Sequence, residues 1–179
     1  MTTRPHTLKG TGVLTEETDW ETAYKEYLPR VYNFFRYRVS DQSLAEDLTA
    51  ATFEKAWRGR SRFRRDLSAF STWLFTIARN VAIDQFRRRE QDVPLEAVRE
   101  QANQVSLEET VQRNYDFARL SALLSQLPMR ERELIAFKYG AGLNNREIAR
   151  LTHLSASNVA VILYRVVEKL RMQMEVNHE

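Results

Sequence analysis

The sequence predicts an all-α protein: two small helical domains joined by a linker, the second containing a helix-turn-helix. Three observations point there. Apolar residues recur at i, i+3, i+4 and i+7 along most of the chain. Only 5 Gly and 4 Pro occur in 179 residues, too few for a sheet protein with many tight turns. Between the two periodic stretches, residues 91–111 lose their aromatic residues, turn acidic and carry Pro94, as a linker does. The expected divisions are a disordered tail over 1–18, a helical bundle over 19–90, the linker over 91–111, a second helical domain over 112–174 and a short tail over 175–179.

Each element follows from its pattern. Trp20, Ala23, Tyr24, Tyr27, Leu28, Val31, Phe35 and Val39 form one apolar stripe, which predicts a helix over 19–39. Pro29 lies inside that run and is expected to kink or divide it near Leu28. After a short turn, with Asp41 or Ser43 as cap, a second helix runs over about 43–58. Ala45, Leu48, Thr52 and Ala56 mark its inner side, and Gly59 ends it. Arg60 to Ser71 has no clean period and reads as a loop. A third helix covers about 70–90, carrying Phe70, Trp73, Leu74, Ile77, Ala78, Val81 and Phe86.

Helical periodicity restarts near Leu107 and stops at Pro128. A short helix is expected from Met129 to Tyr139, broken by Gly140–Gly142. Asn144 with Glu147 three residues on has the form of a capping box, starting a helix over 144–151. Ser155 caps a last helix over 155–173, whose inner stripe is Val159, Leu163, Val166 and Leu170.

Composition removes several function classes. With no cysteine, disulfides, thiolate metal sites and a cysteine nucleophile are excluded. The three histidines, His6, His153 and His178, give no material for a histidine-rich metal site or a Ser–His–Asp arrangement. No catalytic residues, metal or cofactor are expected. The most apolar run, WLFTIARNVAI, is far shorter than the roughly 20 residues a span needs. The N-terminus lacks an apolar signal-like core, so the expected location is cytoplasmic, with no membrane insertion.

Charge is distributed unevenly. Residues 58–89 hold nine arginines against Asp66 and Asp84. Arginine rather than lysine throughout suits bidentate phosphate contact, although a solvated face is the bland alternative for any charge run. The third helix mixes aromatic, amide and cationic groups, a combination that can track a single strand and stack on unpaired bases. Trp73 and Phe70 are equally readable as core. The helices at 144–151 and 155–173 have helix-turn-helix proportions, in which the second helix enters the major groove end-on. Its outward positions are Ser157, Asn158, Ala160, Val161, Tyr164 and Arg165. Asn158 can pair with an adenine edge and Val161 can touch a thymine methyl. Arg146, Arg150, Lys169 and Arg171 are candidate phosphate contacts. An ordinary helical hairpin has the same spacing.

Taken together, the strings YKEYLPRVYNFFRYRV, AEDLTAATFEKAW, FSTWLFTIARNVAIDQFRRR, LPMRERELIAFKYGAGLNNREIARLTHLS and VAVILYRVVEKLR resemble the extracytoplasmic-function (ECF) sigma factors of bacterial RNA polymerase. The resemblance spans roughly residues 20–90 and 112–173. It implies no enzymatic activity. It implies instead that the protein binds bacterial core RNA polymerase, recognises −35 and −10 promoter elements and promotes DNA melting.

By position, Glu46, Asp47, Ala50 and Glu54 would face core polymerase. Arg62, Arg64, Arg65, Ser68, Trp73, Arg79, Asn80, Asp84, Arg87 and Arg88 would meet the non-template single strand of the −10 element. The loop from about Phe63 to Ser71 would hold a flipped base. Arg146, Ser155, Ser157, Asn158, Val161, Arg165 and Lys169 would meet the −35 duplex, and the linker would pass near the RNA exit path. An anti-sigma factor is also implied.

Some positions depart from the family pattern. Ala50 stands where glutamine is frequent. His153 stands where glycine is usual, in a turn that needs a positive φ, which histidine tolerates better than branched residues. Ala160, Val161 and Ile162 replace more polar residues, which shifts base reading toward Ser157, Asn158 and Arg165. The alternative is a helix-turn-helix transcriptional regulator with an N-terminal dimerisation or sensor bundle. The arginine block argues against it, since dimer faces are depleted in charge. A serine recombinase using Ser61 or Ser71 is the weakest reading.

Overall fold

The computed structural model describes residues 17–64, 69–92 and 108–176. Among these, every regular element is helical: α1 (Glu17–Arg38), α2 (Gln42–Gly59), α3 (Phe70–Asp92), α4 (Glu108–Ser125), α5 (Met129–Ile135), α6 (Asn145–Thr152) and α7 (Ala156–Val176). A 3-10 turn, Arg60–Arg62, follows α2, and a π-helical turn, Ala136–Gly140, follows α5.

The first three helices pack as the stripes predict. Val31, Phe35 and Val39 of α1 are buried with Ala45, Leu48, Phe53 and Ala56 of α2 and Leu74, Ala78 and Val81 of α3. Asp41 caps α2, its carboxylate accepting from the Leu44 N–H at 2.9 Å. Pro29 does not divide α1, which continues through it. Its ring is solvent-facing, where water can satisfy the carbonyl that proline leaves unpaired. Gly59 ends α2 without entering the left-handed region (φ −91°), because the chain tightens into the 3-10 turn.

The expected single helix Met129–Tyr139 is α5 plus the π turn. Leu134, Ile135, Ala136 and Phe137 are all buried. Four consecutive apolar residues exceed one helix face and require cover on several sides. That cover comes from the first half of the chain. Phe34 of α1 stacks on Phe137 with centroids 4.8 Å apart and planes at 24°, and Phe75 of α3 meets the same ring edge-on at 6.4 Å. The hydrophobic core is therefore continuous across both halves. Gly140 lies so close to α1 that a Cβ there would sit 2.7 Å from the Asn33 carbonyl oxygen. The glycine permits that approach.

The helix-turn-helix forms as its caps predict. Asn144 Oδ1 accepts from the N–H groups of Arg146 and Glu147, both at 3.0 Å, and Glu147 Oε2 accepts from the Asn144 N–H at 2.8 Å. His153 closes α6 at φ 57°, the left-handed turn expected of that position. Ser155 caps α7, its Oγ accepting from the Asn158 N–H at 3.1 Å. Val159, Leu163, Val166 and Leu170 are buried, as their spacing requires.

Candidate nucleic-acid interface

On α3, positions 80, 84, 87 and 88 recur at helical spacing and share a stripe. Asn80, Arg87 and Arg88 are exposed there. Asp84 sits among them, accepting from Lys55 of α2 at 3.5 Å and pairing with Arg87 at 3.6 Å. It therefore braces α2 against α3 and trims the positive charge of the stripe. Arg62 and Arg64 are exposed beside the 3-10 turn. Arg60 lies over the Trp57 ring at 3.6 Å and donates to the Trp57 carbonyl at 2.7 Å. Arg65 and Ser68 lie outside the described residues.

Two aromatic residues have structural roles. Phe63 is buried and meets Trp73 and Phe70 at 5.0 and 5.5 Å, so the start of the loop is anchored in the core rather than free for a base. Trp73 is half-buried in that cluster, in line with its core reading. The other end of the loop is fixed too. Ser71 is buried, and its hydroxyl donates to Glu147 Oε1 of α6 at 3.1 Å.

Arg79 departs from its expected placement. Position 79 is one residue off the exposed stripe, so its side chain is turned about 100° away, toward α5. There its Nε and Nη2 donate to Glu133 Oε1 and Oε2 at 3.1 and 3.4 Å. Arg38 of α1 is 3.7 Å from the same carboxylate and donates to the Met129 carbonyl at 3.3 Å. Burial pushes the Arg38 guanidinium down to about 10, against the opposing pull of Glu133. The sequence reading missed Glu133, Arg38 and Phe34. The one available signal was the long apolar run after Glu133, which implies burial of its neighbours.

The second half presents α7 to solvent along one face. Ser155, Ser157, Asn158, Ala160, Val161, Tyr164, Arg165 and Lys169 are exposed, as is Arg146 of α6. Ile162 is half-buried, so it lies off that exposed face. Ser155 Oγ is engaged in the cap and lies 3.1 Å from Ser157 Oγ, so its hydroxyl is already committed within the turn. On α2, Glu46, Asp47, Ala50 and Glu54 form an exposed acidic face. Gln42 donates to Glu46 at 3.0 Å, and Arg58 pairs with Glu54. Among the described residues no cluster of histidine and carboxylate groups could hold a metal, and no helix is long and apolar enough to cross a membrane.

Comparison with known proteins agrees with this architecture. The Sigma-70 region 2 family matches residues 23–91, and the Sigma-70 region 4 family matches residues 117–170. The chain is 30% identical over 158 residues to the ECF RNA polymerase sigma factor SigM of Bacillus subtilis, covering 83% of this chain and 90% of that protein. It is 31% identical over 153 residues to the RNA polymerase sigma factor CarQ of Myxococcus xanthus, covering 85% and 87% respectively. Among solved structures, it resembles the sigma factor RpoE of Bartonella quintana, determined in complex with the anti-sigma factor NepR. The TM-score is 0.70 at 25% identity, covering 89% of this chain and 98% of that one. With both sigma regions matched in order, and with relatives aligned over nearly their full length, the chain belongs to the ECF RNA polymerase sigma factors.

Proposed function

We propose that this sigma factor divides its work between the two helical units, over residues 19–90 and 112–174, with 91–111 as the connection. The acidic α2 face of Glu46, Asp47, Ala50 and Glu54 meets the core polymerase. The α3 stripe of Asn80, Asp84, Arg87 and Arg88, with Arg62, Arg64, Arg65 and Ser68 at the loop, follows the non-template strand of the −10 element. Trp73 supports that surface from beneath. The outer face of α7 reads the −35 duplex: Ser157, Asn158, Val161 and Arg165 lie over base edges, while Arg146, Ser155 and Lys169 hold the backbone.

The observation that carries this reading is the α3 stripe. Its cations are exposed on a helix whose opposite face is packed into the core. Such a surface binds a polyanion without rearranging.

The protein acts by binding, not by bond-making. Opening the duplex costs about 1–2 kcal/mol per stacked step. Stacking and phosphate contacts on the separated strand offset this at roughly 1–3 kcal/mol per base. Its place of action is the cytoplasm, with promoter DNA and polymerase. An anti-sigma factor is a further partner, as the RpoE–NepR complex suggests.

Run-off transcription with core polymerase and a genomic fragment library tests the reading. Defined transcripts that require both this protein and core polymerase are expected. Sequence-specific duplex binding by the protein alone, with no polymerase-dependent start sites, would favour the regulator alternative and refute the division of labour.

A further inference from the structure

The C-terminal end of α2 carries a cation on an aromatic face. Arg60 lies over the Trp57 ring at 3.6 Å, and its Nη1 donates to the Trp57 carbonyl at 2.7 Å. That bond fixes the side chain, so little of its freedom is left to lose on binding. Trp57 is 38% exposed although it packs against Trp20 with centroids 5.3 Å apart. Trp20 in turn meets Phe70 edge-on at 6.3 Å, and Phe70 meets Phe63 and Trp73, both at 5.5 Å. A continuous run of rings thus holds the Arg60–Trp57 stack in a fixed position relative to Phe63 and Phe70, which flank the loop. We propose that this stack is a second base-binding site for the separated non-template strand, in which an unpaired nucleobase continues the stack on the outer face of the Arg60 guanidinium. This rests on the reading of the loop and α3 as the strand-binding surface and adds to it a base contact beyond the arginine stripe.

Three features favour a nucleobase. The first is charge. Glu46, Asp47 and Glu54 are exposed on the earlier turns of α2, whereas Arg58, Arg60, Arg62 and Arg64 follow. Glu54 pairs with Arg58 at the changeover. The stack therefore belongs to the cationic end of the helix, suited to DNA, and not to the acidic face assigned to polymerase. The second is pairing. Arg58 and Arg87 each face a carboxylate, but among the described residues Arg60 has an aromatic ring in that place and keeps its full charge. The third is shape. Part of the guanidinium fork is already engaged by the Trp57 carbonyl, and what remains is a plane at stacking distance from an indole. Arginine planes and exposed aromatic rings are surfaces on which unpaired bases stack. Ten residues separate Phe70 from Asn80, about 15 Å along the helix axis, so the stack meets a different base from those over the stripe.

Reconstituted holoenzyme on fork-shaped promoter fragments tests the site. Each non-template position around the −10 element is replaced in turn by an abasic residue, and the lifetime of the open complex is measured. For the unaltered protein the lifetime should fall about fivefold or more at the flipped base and again at one further position, in line with the loss of one stacked base. Arg60→Ala should shorten the lifetime on intact DNA by a similar factor and abolish the penalty at that second position alone. Arg60→Lys keeps the charge without the plane, so it should retain the salt dependence and still lack the second penalty. The cap of α2 survives both substitutions, because the backbone N–H of Arg60 closes the helix on the Trp57 carbonyl. Thermal unfolding followed by circular dichroism checks this.

A cation–π pair that served folding alone would leave the abasic profile unchanged in Arg60→Ala, and that result overturns the site. Rescue by Arg60→Lys with the second penalty intact means a phosphate contact and overturns the stack. Weaker binding to core polymerase with an unaltered abasic profile assigns Arg60 to the polymerase face and overturns it too. If the flipped base matters to the unaltered protein and no second position does, the site alone fails. If no position matters, the reading of the loop as strand-binding fails and the site falls with it.

Discussion

Replacing Arg87 and Arg88 together with alanine removes two cations from the exposed end of α3 while leaving its buried face untouched. The effect on folding should be small. The Arg87–Asp84 pair is 3.6 Å apart with both side chains substantially exposed, and such pairs contribute about 0–1 kcal/mol. The effect on DNA should be large and salt-dependent. Each neutralised phosphate on a single strand contributes about 0.7 to the slope of log K against log salt, so two lost contacts flatten it by about 1.4. Between roughly 50 and 200 mM salt, that flattening shrinks the variant's deficit about sevenfold. Asp84 already offsets part of the Arg87 charge, so 1.4 is a ceiling, with Arg88 as the larger contributor. The assay is open-complex formation by reconstituted holoenzyme on a fork-shaped promoter fragment, titrated with salt, with thermal unfolding as a control. Parallel salt plots for the two proteins, at equal thermal stability, would refute phosphate contact by this end of α3.

Two further substitutions probe the second half. His153→Gly places a glycine at φ 57°, where a side chain costs about 1–2 kcal/mol, and should stabilise the protein by around 1 kcal/mol in urea unfolding; a loss of stability would contradict strain at this turn. Asn158→Ala should alter preference at one or two base pairs of the upstream element in a randomised-promoter selection, at about 1–3 kcal/mol of discrimination; a uniform loss over all sequences would mean that Asn158 only holds backbone.

Helices announce themselves through local rules. The Asn144–Glu147 capping box, the Asp41 cap and the stripe Val159–Leu163–Val166–Leu170 each involve residues within a few turns of one another. Propensity, capping and period therefore sufficed to place α2, α6 and α7 to within a few residues. The positive φ at His153 was expected only through the family resemblance, which has glycine at that turn. Pro29 misled because a proline's effect depends on which face of the helix it occupies, and only packing shows that this one faces water. The π turn at Ala136–Gly140 was hidden because its geometry answers to α1 rather than to its own sequence.

The exposed stripe of α3 and the outer face of α7 were readable, since a helix's period fixes which residues share a side. Arg79 was not, because its partner Glu133 is 54 residues away in the chain. Sequence alone determined the helices, their inner faces, the family and the cationic and polar residues proposed to meet DNA. Tertiary structure alone decided that the two helical units share one core through Phe34, Phe75 and Phe137, and that one carboxylate claims an arginine the local pattern assigned to DNA. Periodicity is a property of neighbours along the chain, whereas the pairing of two buried charges depends on how separate helices dock.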